Sequence, residues 1–141
     1  IKISNKEKFE GLKKEKLIEN ESNYGSEIRK KYGEDVVKSY NKRFMNMNED
    51  NYRRMEDTEN KVLKYLREVI KTKGLQSETG KNVYESHKSW LTFTWNSYSA
   101  DAHIGLAKMY VEDERFTKYY DTKVGVGAAK VLQDIIIKYA K

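Results

Sequence analysis

Residues 48–73 read NEDNYRRMEDTENKVLKYLREVIKTK. Tyr52, Met55, Val62, Leu63, Leu66, Val69 and Ile70 recur there at steps of three and four, which places them on one side of an α-helix but would scatter them over both faces of a strand. Asn48 stands where an N-cap belongs. Gly74 is expected just past the end, where a positive φ costs a glycine least. The same period extends outward in both directions. Toward the C-terminus, Ser77 can cap a helix with Val83, His87, Trp90, Leu91 and Thr94 on one side. The segment WNSYS is a turn, and its Ser99 caps a helix over 100–112 carrying Ala102, Leu106, Met109, Tyr110 and Val111. Asp113 is placed to cap a short helix with Phe116, Tyr119 and Tyr120. TKVGVG (122–127) is a loop, and a last helix carries Ala128, Val131, Leu132, Ile135, Ile136 and Tyr139. Toward the N-terminus, Val36, Val37, Tyr40 and Phe44 predict a helix over 34–45, and Gly25 and Gly33 bracket SEIRKKY. Ser4 with Glu7 opens a first helix to about residue 23, with Phe9, Leu12 and Leu17 on one stripe. No segment alternates as a strand does, and no proline interrupts the 141 residues. The prediction is one all-α domain, a compact bundle of helices.

The two ends of the chain differ in what they can bury. Residues 1–47 are rich in charge and poor in large aliphatics, whereas 48–141 hold both tryptophans and most of the Leu, Ile and Val. A labile front part and a stable rear core are expected, because local stability follows buried apolar contact. The net charge is +6, but Lys and Arg alternate with Asp and Glu in EKFEGLKKEK and RRMEDTENK, the pattern of a solvated helix face rather than of a phosphate-binding stripe. There is no cysteine, so disulfides and thiolate chemistry are excluded. This fits a reducing, cytoplasmic setting. No apolar run approaches a membrane span, so no membrane partner is expected.

Patterns that carry catalysis are missing. His87 and His103 are the only histidines. They form no HExxH-like set, so neither a metal nor a haem is indicated, and each is expected to be a capped or core-edge group making one hydrogen bond. Asp57 with Glu59, and Asp113 with Glu114, sit in charged runs and read as solvated or capping. No phosphate loop or nucleophile elbow is present, and KVGVGAAK follows no strand. No cofactor and no enzymatic activity are expected. What stands out is aromatic density: Trp90, Phe93, Trp95 and Tyr98 lie close together, followed by Tyr110, Phe116, Tyr119 and Tyr120. Such rings suit flat hydrophobic ligands as well as cores. An aromatic groove holding a partner helix is the rival interpretation.

HKSWLTFTWNSYSADAHIGLAKMYVEDERFTKYYD (87–121) followed by AAKVLQDIIIKYA resembles the TipA-type antibiotic-recognition domain of MerR-family transcriptional activators. EKFEG at 7–11 and EIRKKYGED at 27–35 resemble its opening segments. The resemblance implies a globin-like all-α fold whose N-terminal helices close as a lid over a bulky hydrophobic antibiotic. It further implies a role in multidrug resistance, either by regulating an attached dimeric MerR-type activator or by sequestering the drug. No DNA-binding segment lies within these residues, so DNA is expected as a partner only through an attached domain. Thiopeptide-capturing members carry a cysteine where this chain has Gly105, and a second where it has Tyr98, so the resemblance implies non-covalent binding here. It also directs attention to the face of Gly105, namely Asp101, Ala102, Lys108 and Met109, with Trp90, Phe93, Trp95 and Tyr98 as walls. Tyr32, Tyr40 and Phe44 are the expected lid contacts.

Overall fold

The computed structural model describes residues 4–72, 74 and 77–141. Among them the chain is all-α, with no strand. Helix α1 (Asn5–Asn20) runs through a π-helical turn (Glu21–Gly25) into α2 (Ser26–Tyr32). Then come α3 (Glu34–Asn46), α4 (Glu49–Thr72), α5 (Glu78–Thr92), α6 (Ala100–Glu112), α7 (Glu114–Lys123) and α8 (Ala128–Tyr139). No helix among the described residues is long and apolar enough to cross a membrane.

Side chains that the sequence places at helix starts satisfy N–H groups left open there. Ser4 Oγ accepts from Glu7 N at 3.1 Å, Asn48 Oδ1 from Asn51 N at 2.8 Å, and Ser77 Oγ from Gly80 N at 3.3 Å. Ser99 Oγ accepts from Ala102 N at 3.2 Å and Asp113 Oδ1 from Arg115 N at 3.0 Å.

Two boundaries differ from expectation. Gly25 and Gly33 bracket α2, which is SEIRKKY, as expected, but Gly25 is buried with φ −53° and the helical run from α1 continues through it past residue 23. A Cβ there would fall 2.5 Å from the Glu21 carboxyl group, the far end of a flexible side chain. After α4, the Gly74 N–H bonds back to Val69 O at 3.4 Å and its carbonyl accepts from Ser77 Oγ at 2.7 Å. Residues 122–123 complete α7 rather than opening a loop. The turn that follows uses Gly125 (φ 152°) and Gly127 (φ 90°), and the Asp121 carboxylate reaches across it to accept from Gly127 N at 3.2 Å and Ala129 N at 3.0 Å.

The helices form two compact units, Ile1–Arg53 with Phe93–Asn96 and Arg54–Thr92 with Ser97–Lys141. The first buries Val37, Phe44, Met47 and Tyr52. The rings of Phe44 and Tyr52 meet neighbours at 5.4 Å (Phe9–Tyr52), 5.9 Å (Phe44–Tyr52) and 6.3 Å (Tyr40–Phe44) between centroids. The stripe that α1 turns inward is Phe9, Lys13 and Leu17, four residues apart; Leu12 is exposed. Lys13, expected on a solvated face, is 1% exposed. Its ammonium donates to Met45 O and Met47 O, each at 2.7 Å, and pairs with Glu10 at 3.1 Å. A cation at the end of α3 meets carbonyls that have no helical partner, and this is how a charge can be buried there.

The second unit has the larger core. Val62, Leu63, Leu66 and Val69 of α4 join Val83, Tyr84, Ala107, Tyr110, Tyr120, Leu132, Ile135 and Ile136 in one cluster. Helix α8 packs on α5, α6 and α7. Its small residues Ala128 and Ala129 are buried and let its first turn approach closely.

Candidate functional site

Helix α6 presents two different faces. His103, Ala107 and Tyr110 point into the core, and Ile104 and Leu106 pack against it. Ala102, Gly105 and Met109 form a second, half-buried stripe at helical spacing, flanked by exposed Asp101 and Lys108. Ala102 and Met109 are not among the half-buried groups packed on the core. At Gly105 an added Cβ would meet no atom within 4 Å. A glycine inside a helix costs about 1 kcal/mol relative to alanine, and neighbouring atoms here give no reason for it. Gly11 of α1 has equally empty surroundings, but it lies on an exposed face. Gly105 is half-buried, and the space that a side chain would take there is open, so helix backbone is accessible to a close approach at this point.

Behind this face runs a buried polar chain that the sequence did not announce. His87 is 1% exposed and His103 0%. His87 Nδ1 and His103 Nε2 are 2.7 Å apart, with ring planes within 9°. His103 Nδ1 meets Tyr98 Oη at 2.8 Å, and Tyr98 Oη meets Tyr84 Oη at 2.9 Å. At the other end His87 Nε2 meets Tyr110 Oη at 3.2 Å, and Tyr110 shares a further hydrogen bond with Tyr120. The expectation of core-edge histidines with one bond each is therefore corrected: both are central, and each uses both ring nitrogens. The available signal was their position, since His87 lies four residues from Val83 and Leu91, and His103 four from Ala107. Burial, with the neighbouring His103, holds His87 well below its ordinary pKa. Burial, then the Lys88 cation, pushes His103 down to about 4. Both rings are neutral at pH 7. Burial likewise raises the phenol of Tyr120.

The twelve residues singled out from sequence fall into both units. Trp90, Tyr98, Asp101, Ala102, Gly105, Lys108 and Met109 belong to the second. Trp90 rests on His87 with ring centres 5.4 Å apart, and its indole N–H is buried without a hydrogen-bond partner. Tyr98 spends its hydroxyl on the buried chain, and Lys88 Nζ lies 4.4 Å over its ring. Tyr32, Tyr40, Phe44, Phe93 and Trp95 belong to the first unit. There Phe44 is a core residue stacked on Tyr40, and the Tyr32 hydroxyl is buried and unpartnered. Among the described residues no group of three or more His, Asp or Glu could hold a metal.

Residues 24–139 match the family model of the TipAS antibiotic-recognition domain. EKFEG at 7–11 lies outside that match. No match was found among the curated proteins or among the solved structures.

Proposed function

Because this chain belongs to the TipAS antibiotic-recognition domain family, we propose that it is a non-catalytic effector-binding domain that holds a bulky hydrophobic antibiotic on the Gly105 face of α6 without a covalent bond. The observation that carries this is Gly105 itself, a half-buried helix-interior glycine whose Cβ position faces open space and which internal packing does not require. Ala102 and Met109 extend its face as an apolar stripe, and methionine adapts to guests of different shape. With no cysteine in the chain, nothing can add as a thiolate to an electrophilic drug, and affinity comes from burial and hydrogen bonding alone.

The thin apolar core of the first unit makes α1 to α3 the part whose order can respond to effector. Fixing each residue costs roughly 1–2 kcal/mol of backbone entropy, which binding has to offset. In a longer activator that ordering would bias an attached dimeric MerR-type DNA-binding part toward its active state. A free domain would instead sequester the compound. The test is a thermal-shift screen against an antibiotic panel. A true ligand at 100 times its Kd adds about 2.7 kcal/mol, with raised amide protection across α1 to α3. A panel of large hydrophobic antibiotics that leaves both readouts unmoved would refute the proposal.

A further inference from the structure

A lysine ammonium carries three N–H donors and no acceptor. Around Lys13 Nζ stand three oxygens: Met45 O and Met47 O, each at 2.7 Å, and Glu10 Oε1 at 3.1 Å. The same ammonium lies over the ring of Phe9, 4.6 Å from its centre, and Tyr52 holds that ring edge-to-face at 5.4 Å between centroids. The set is complete, with as many oxygens as N–H groups, a carboxylate to balance the charge and a π face. Each of these attracts an alkylammonium. A quaternary ammonium would keep the charge and the ring contact but has no N–H to offer the oxygens.

The set is also divided between two helices. Phe9 and Glu10 come from α1, whereas the carbonyls come from the end of α3 and the residue that follows it. The end of α3 carries the negative pole of its dipole. Without a cation at the centre, the Glu10 carboxylate and those carbonyl oxygens would face each other with like sign, around a position where Lys13 is only 1% exposed. The seam therefore requires a cation, and α1 supplies it. Glu10 is 46% exposed, so its carboxylate is the part of the seat that solvent reaches.

We infer that the seam between α1 and α3 is a binding site for a primary alkylammonium, occupied in cis by Lys13, and that its occupancy and the docking of α1 are one equilibrium. In the intact chain Lys13 stands at an effective concentration on the order of mM or more. It keeps the site filled against free amines below that level. With the lysine cut back, an amine in solution takes the seat and draws α1 onto α3. The class of ligand is a primary aliphatic amine with a short unbranched chain, which replaces the stem of the lysine. The inference concerns α1 and α3 only and stands whether or not an antibiotic binds on the Gly105 face.

Two measurements on the full chain test it. In the 15N-lysine-labelled wild type, a buried ammonium held by oxygens exchanges slowly with water and gives a 1H–15N signal at neutral pH. That signal should be missing from Lys13→Met, and its absence from the wild type overturns the assignment. The second is amide exchange in α1. Lys13→Ala should speed it by about tenfold or more. n-Propylammonium chloride replaces, atom for atom, what that substitution removes, and should restore protection in a saturable way. Tetramethylammonium chloride or sodium chloride at equal ionic strength should not. Lys13→Met fills the seat with its own side chain, so it should lose protection and gain none from the amine. No rescue of Lys13→Ala by propylammonium, or equal rescue by tetramethylammonium or sodium, overturns the proposal. So does an equal gain in the wild type, where Lys13 already holds the site.

Discussion

Acidification should weaken this fold well before its carboxylates titrate. An imidazole whose folded pKa lies below its unfolded value binds fewer protons when folded. Stability that is complete above about pH 6.5, the unfolded value, is then lost as pH falls toward the folded value. His103 is fully buried and pushed down to about 4. At about 1.36 kcal/mol per pH unit, it alone should remove about 2 kcal/mol of stability by pH ~5, and about 3 kcal/mol by pH ~4. His87, also held well below its ordinary value, acts in the same direction. Asp113, lowered by its bonds to Arg115, loses its contribution only as pH falls below its unfolded value of about 3.9, so the two windows are separable. The assay is urea unfolding followed by far-UV circular dichroism at pH ~7.5 and ~5. A loss of about 2 kcal/mol moves the midpoint by about 1 M for a slope near 2 kcal/mol/M. An unchanged midpoint between those two pH values would show that the pair is not held neutral, and the buried chain described here would be wrong.

Gly105→Ala should stabilise the protein by roughly 0.5–1 kcal/mol, since the added Cβ meets open space in a helix interior; a lower melting temperature would mean that the space beside Gly105 is occupied. Lys13→Met keeps much of the volume but strips the ammonium from Met45 O and Met47 O. About 1–3 kcal/mol should be lost, seen as reduced amide protection in α1 and α3 with the second unit unaffected. Asp121→Ala removes the two bonds that hold the first turn of α8 and should cost about 1 kcal/mol in urea unfolding, whereas an unaltered midpoint would deny it a capping role.

Much of this architecture was legible because helices are specified locally. The caps at Ser4, Asn48, Ser77, Ser99 and Asp113, and the apolar period of α4, need only a few neighbouring residues to be recognised. What escaped depends on partners distant in the chain. Lys13 looks like any lysine in a charged run until the end of α3 supplies carbonyls for it. Asp121 looks like a surface acid until α8 starts beside it. The histidines are 16 residues apart in sequence, and only the packing of α5 on the same core as α6 makes them a pair. Gly25 marks the start of α2 as expected but does not break the helix, because glycine permits a break without requiring one. For the site, the face of α6 was indicated by family resemblance. The reason to look there again, open space at the Cβ position of a half-buried helix glycine, belongs to the folded structure alone.

The most direct measurement is the affinity of an antibiotic identified by thermal shift, determined by titration calorimetry for the wild type and for Gly105→Leu. The Cβ of residue 105 has room in the fold, so the variant should keep a native circular dichroism spectrum and a cooperative melt. The larger side chain covers the Gly105 backbone that the ligand would approach, and binding should weaken by about tenfold or more, equivalent to at least about 1.4 kcal/mol. A folded Gly105→Leu protein that binds the same compound as tightly as the wild type would contradict the placement of the ligand on this face of α6.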